Sequence, residues 1–104
     1  MLEIDQSHAG RAVGVPVGEW FLLRLPENPT TGYRWEFQSA LEPALSLEED
    51  SFARAGTAPG AGGLRSWRFR AVRAGEFRLQ LALKRGWQPR PIETFSVDIR
   101  VAPP

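Results

Sequence analysis

The sequence predicts an all-β protein, a sandwich of about seven antiparallel strands. Two observations carry that expectation. Apolar and polar residues alternate with period two along most of the chain, and no window shows an apolar helical stripe with caps. The runs are separated by clusters rich in glycine, proline, serine and asparagine, so each is a short strand bounded by turn chemistry. Short strands with one apolar face each, in 104 residues, suit an immunoglobulin-like β-sandwich built as a single domain over residues 1–104. An open barrel is the nearest rival.

Strand A is placed near 2–5 and strand B near 19–26, with Gly10 to Gly18 read as the break between them. Strand C, near 31–38, sets Tyr33, Trp35 and Phe37 on one face and Arg34, Glu36 and Gln38 on the other. Strand D lies near 45–50. Strand E, near 64–73, alternates Trp67, Phe69 and Ala71 with Ser66, Arg68 and Arg70. Strand F, near 75–84, carries Phe77, Leu79, Leu81 and Leu83 on its apolar face. Strand G, near 93–102, carries Phe95, Val97, Ile99 and Val101. If every connection reverses the chain, the B–C, D–E and F–G connections share one pole. That pole receives "ENPTTG", "GTAPGAGG" and "RGWQPRP", while the other receives ordinary turns such as "QSALEP" and "RAG".

Composition removes several classes of function. Hydrophobic residues make up 42% and aromatic residues 11%, which fits a globular chain. Thirteen basic residues face twelve acidic ones, and a net charge of +1 gives no electrostatic case for nucleic acid or an anionic membrane. The arginines Arg65, Arg68, Arg70, Arg73 and Arg78 could form a basic stripe, but Glu76, Glu93 and Asp98 on neighbouring strands can pair with them. No apolar run approaches the roughly 18–20 residues of a membrane helix. The opening "MLEIDQSHAG" has neither a basic nor an apolar leader region, so no signal peptide is visible and the compartment is left open. Cysteine is absent, which removes disulfides, thiolate nucleophiles and cysteine metal sites.

Enzymatic chemistry finds no support. A nucleophile needs a base, and the one histidine, His8, lies in a polar N-terminal stretch where a solvated surface residue is expected. Alone it cannot supply a zinc site. Glu48, Glu49 and Asp50 are adjacent on a strand and point to opposite faces, so a solvated strand end is expected rather than a cation site. "GAGG" at 60–63 does not make a phosphate loop, because Arg65 stands where the third glycine belongs and no helix follows. No cofactor, metal or small-molecule substrate is implied, and the chain is expected to be a monomer.

The three polar loops remain. As a turn, "NPTTG" is explained by Asn28, Pro29 and Gly32, but two β-branched residues, Thr30 and Thr31, are poor turn formers. "NPTTGY", residues 28–33, resembles the signature loop of the chagasin family, proteinaceous inhibitors of papain-like cysteine proteases with an immunoglobulin-like fold. The family's second loop carries GxGG, similar to Gly60-Ala61-Gly62-Gly63. Its third carries Arg-Pro-Trp, of which Arg85 and Trp87 match while Gly86 replaces the proline. The resemblance implies a reversible inhibitor whose B–C loop enters the protease cleft, with Thr31 beside the catalytic Cys–His pair. It implies that Asn28 holds the loop from inside, Pro29 and Gly32 shape it, and Tyr33 roots it in the core. Gly60, Gly62 and Gly63 would lie along one side of the cleft. Trp87 would stack on the other side, with Arg85 supporting it or pairing with an acid. A non-inhibitory binding module using the same pole is the alternative.

Overall fold

The computed structural model describes residues 1–57 and 60–104. Among them eight strands form two four-stranded sheets. They are β1 (Leu2–Ile4), β2 (Ala12–Pro16), β3 (Trp20–Glu27), β4 (Arg34–Phe37), β5 (Leu45–Arg54), β6 (Gly63–Ala71), β7 (Gly75–Lys84) and β8 (Glu93–Ala102). The first sheet runs β1-β3-β6-β5 and the second β2-β8-β7-β4. The period-two pattern produces the core directly. Phe21, Leu23 and Leu25 of β3 and Trp67, Phe69 and Ala71 of β6 face Leu79, Leu81, Phe95, Val97 and Ile99 of the second sheet. Phe37, on β4, meets the rings of Trp67 and Phe69 edge-on at 5.7 and 5.9 Å and so joins the two sheets through aromatic contact.

The sandwich is as expected, but its strand inventory and directions need correction. Residues 12–16, read as part of a break, form β2 and pair in parallel with β8, Val15 opposite Val101. Gly14 and Pro16 disguise this strand. Both are tolerated because β2 is an edge, where proline's missing N–H takes nothing from an interior ladder. Its inward residue is Val15, at 3% exposure. β1 likewise runs parallel to β3, Leu2 opposite Phe21, so the sheets are mixed and not purely antiparallel. Strand C starts only at Arg34, because Pro29–Thr31 form a 3-10 turn. Strand D continues to Arg54, with a register shift between Leu47 and Glu49 that accommodates the extra residue.

The pole count for the three polar loops holds in the strand directions. β3 and β5 run toward the pole that β4 and β6 leave, and β7 delivers the chain there to β8. The strand missed at 12–16 changes the other side of the count. β1 runs with β3 and β2 runs with β8, so the connection between β1 and β2 also lies at this pole. There Gln6 donates to Glu93 at 3.1 Å.

Among the described residues three of the five stripe arginines are ion-paired, not all as expected, while Arg70 lies over the Trp20 ring. Arg78 meets Asp98 at 2.9 Å, and Arg100 meets Glu76 at 3.3 Å. The Arg78 guanidinium hydrogen-bonded to Asp98 holds that carboxyl below the ordinary range. Arg65 and Arg68 turn instead to Asp50 and Glu49 on β5, so the acidic run there is engaged in ion pairs rather than merely solvated.

The burial of Val15 gives a sharp test of β2. Val15→Asp should lower stability by about 3 kcal/mol or more, read from its urea midpoint, because it leaves an unpaired charge between sheets. A residue in an open surface turn would change it by less than about 0.5 kcal/mol.

Candidate functional site

The chain from Glu27 to Arg34 passes from the first sheet to the second, so the strands flanking this central loop share no ladder. The loop is shaped by its own polar groups. Asn28 sits at the N-cap of the Pro29–Thr31 turn, and its Oδ1 accepts from Thr30 N–H at 3.2 Å and Thr30 Oγ1–H at 2.6 Å. Pro29 occupies the first position of the turn, where no donor is needed and φ is already set. The Thr31 hydroxyl donates to Asn28 O at 2.8 Å and accepts from Tyr33 N–H at 3.3 Å. Gly32 closes the turn at φ 82°, a conformation that costs other residues roughly 1–2 kcal/mol. Both threonine hydroxyls thus act as internal struts. That accounts for β-branched residues in the loop and leaves Pro29, Thr30, Thr31 and Gly32 exposed.

Two further contacts join the neighbouring loops to this one. Asn28 Nδ2 donates to Gly60 O at 2.9 Å, fastening the glycine loop between β5 and β6 to the central loop. On the other flank, Arg85 Nε donates to Thr31 O at 3.1 Å. The Arg85 guanidinium lies over the Tyr33 ring at 4.4 Å and near the Trp87 ring at 5.9 Å. Arg85 thus lies beside Trp87, and among the described residues no carboxylate pairs with it. The Gln88 N–H to Arg85 O bond, at 2.9 Å, makes a tight turn with Gly86 and Trp87 at its corner. Trp87 is 77% exposed there. A Cβ at Gly86 would meet nothing within 4 Å, so the position of the missing proline is sterically open.

The glycines differ in their reasons. Gly60 takes φ 77° and offers its carbonyl to Asn28. A Cβ on Gly62 would lie 3.4 Å from Glu27 O and 3.5 Å from Asn28 Cβ, so the two loops approach closely at this point. Gly63 is buried, and its Cβ would overlap the Ala53 carbonyl and stand 2.8 Å from Phe52 Cζ. It holds the stem of the hairpin rather than lining its tip. The Ala58-Pro59 part of the expected D–E loop lies outside the described residues.

Tyr33 does not root the loop in the core as expected. Its ring is half-buried under Arg85, with its hydroxyl 3.4 Å from Gln88 Oε1. The root is Trp35, 4% exposed, which is fixed twice: its backbone N–H donates to Glu27 Oε2 and its indole N–H to Pro26 O, each at 2.9 Å. Glu27 is itself buried and accepts from Arg65 Nη1 at 3.1 and 3.3 Å. Arg65 also makes a two-pronged bond to Asp50, both prongs 2.7 Å. The bond to Asp50 raises the Arg65 pKa, and Glu27 adds to it against the opposing effect of burial. Sequence reasoning missed this group, although the signal was available: Glu27 continues the inward parity of Phe21, Leu23 and Leu25.

Chemically, this pole offers a preformed binding surface of neutral side chains and glycine backbone at its tip. Its tip is neutral, and among the described residues no cluster of acids and histidine could hold a metal ion. Among the same residues no helix is long and apolar enough to cross a membrane. The profile of chagasin family peptidase inhibitors matches residues 14–99. Chagasin from Trypanosoma cruzi is 31% identical over 90 residues, covering 82% of this chain and 82% of that protein. The fold is shared with the cysteine protease inhibitor EhICP2 from Entamoeba histolytica, at TM-score 0.86 and 17% identity over 97% of this chain and 95% of that one. Amebosin aligns at TM-score 0.79 and 26% identity, over 97% of each chain.

The packing at Gly63 makes it intolerant of even one methyl group. Gly63→Ala should cost about 1–3 kcal/mol in urea unfolding, the usual range for overpacking. The same change at Gly86, where space is open, should cost less than about 0.5 kcal/mol.

Proposed function

This chain belongs to the chagasin family of peptidase inhibitors, and we propose that residues 1–104 act as one inhibitor domain whose three-loop pole occludes the cleft of papain-like cysteine proteases. The family is one of inhibitors, not enzymes. The observation that carries the reading is the pair of cross-ties, Asn28 to Gly60 and Arg85 to Thr31, which join three separate loops into one preformed surface. A surface already in its bound shape loses little conformational entropy on docking.

In this reading the central loop enters the cleft with the exposed Pro29, Thr30, Thr31 and Gly32 in front. Thr31 meets the catalytic Cys–His pair with its methyl group and hydroxyl oxygen, because the hydroxyl proton is held by Asn28 O. No charge has to be stripped of water at the tip. Gly60 and Gly62 bring bare backbone to one wall of the cleft, and Trp87 stacks on the other as an aromatic anchor. Arg85 and Asn28 serve from within, as ties between loops. In this reading no peptide bond of the wedge need sit in attack geometry, so inhibition is reversible and leaves the inhibitor intact.

The direct test is titration against papain with a fluorogenic peptide, followed by mass measurement of the inhibitor. Stoichiometric, reversible loss of activity with intact inhibitor is expected; undiminished activity at micromolar inhibitor would overturn the reading. Thr31→Arg should abolish inhibition while the unfolding midpoint stays near that of the parent, and unchanged inhibition would remove the central loop from the cleft. Trp87→Ala should weaken binding by about 2–4 kcal/mol. A loss well under about 1 kcal/mol would mean that Trp87 is not an anchor.

A further inference from the structure

The geometry points to Glu27 and Arg65 as positioning residues for inhibition: a largely shielded ion pair, outside the loop signatures, that fixes the far foot of the central loop relative to the glycine hairpin. The inference rests on the inhibitory reading above. It starts from the absence of any ladder between β3 and β4. In a hairpin, paired backbone fixes how far apart the two ends of a loop stand. Here that separation has to be fixed by other groups. The Glu27 carboxylate, on the last residue of β3, takes the Trp35 N–H on the second residue of β4 and replaces the missing backbone rung.

A neutral acceptor could bond the Trp35 N–H equally well. The charge matters for the second partner. Arg65 lies on β6, two residues past Gly63, and reaches Glu27 with one nitrogen while gripping Asp50 on β5 with the other two. Glu27, Arg65 and Asp50 therefore connect the stem of the central loop to both strands of the glycine hairpin. The tip bond from Asn28 to Gly60 lies above the same two stems. The ladder between β3 and β6 already reaches Glu27 and Gly63, so what the ion pair adds is the hold, through Glu27, on Trp35 of β4 in the other sheet. The guanidinium is further fixed by the Trp67 ring, 5.2 Å from its centre. The ion pair is largely shielded, with side-chain exposures of 19% for Arg65 and 3% for Glu27, so water and salt weaken it little.

The test compares Glu27→Gln, Arg65→Gln, the double variant and Asp50→Asn. The Glu27→Gln change keeps an acceptor for Trp35 N–H but gives up the charge. Arg65→Gln leaves Glu27 charged without its partner, and the double variant restores a neutral pair. Asp50 lies at the exposed end of the relay, where substitution disturbs the core least. Two readouts are needed: the inhibition constant with its dissociation rate against papain, and 15N relaxation of loop amides in the free protein.

Each single change at Glu27 or Arg65 should raise the inhibition constant roughly tenfold or more, because a loosened loop has to be ordered again on binding. Amides of Thr30–Tyr33 and Gly60–Gly62 should lose order in the same variants. The double variant should recover most of both losses, and Asp50→Asn should show a smaller loss of each. Variants that lower the melting temperature while folded protein keeps parental inhibition and amide order would overturn the inference, leaving the pair a purely structural one. A double variant as slack as the singles would overturn it as well. If the parent inhibits nothing, the inhibitory reading falls, and the relaxation data alone decide whether the pair positions the loops.

Discussion

Everything at the functional pole depends on one constraint: the chain must cross from one sheet to the other between Glu27 and Arg34. A crossing loop has no backbone rungs beneath it. In this protein side chains take over that task, with Trp35 bonded to Pro26 O and to the Glu27 carboxylate. The loop above can then be short and stiff because its feet are fixed. The conformations of Asn28, Pro29 and Gly32 refine a geometry that the stem has already limited.

That arrangement divides labour between base and tip. The base carries an ion network, in which Glu27, Arg65 and Asp50 satisfy one another and the desolvation of each ion is offset by short hydrogen bonds. The tip is neutral, and its hydroxyls are turned inward. A partner that covers the tip therefore removes water from methyl groups and glycine backbone, not from ions, and the entropy of the loop has largely been lost on folding. The same division explains why Arg85, a cation on the rim, is placed over aromatic rings and a carbonyl rather than left to solvent.

The sandwich was readable because β6, β7 and β8 alternate cleanly and bury one face each. β2 escaped because glycine and proline at positions 14 and 16 look like turn chemistry, and only pairing with β8 at the edge makes them strand residues. The pole shared by the polar loops followed from parity alone. Missing β2 shifted the β1 side of that count without touching the loops. Within the site, the residues of the central loop could be named from the order Asn-Pro-Thr-Thr-Gly. Their internal bonds could not, since a threonine hydroxyl facing inward or outward leaves the same sequence. The tie from Asn28 to Gly60 spans 32 positions and exists only once the sheets have closed. Glu27 and Arg65 are a different case. Both sit at inward parity next to core residues, and an acid and a base at such positions must find each other.

Strand direction has a practical consequence as well. β1 begins, and β8 ends, at the pole away from the three loops. Residues 1 and 104 therefore emerge at the same end as the turn between β6 and β7, at the foot of the molecule. Cargo joined at either position, whether a tag, a fluorophore, a surface linker or a second folded unit, would hang beneath the sandwich and leave the three-loop pole uncovered.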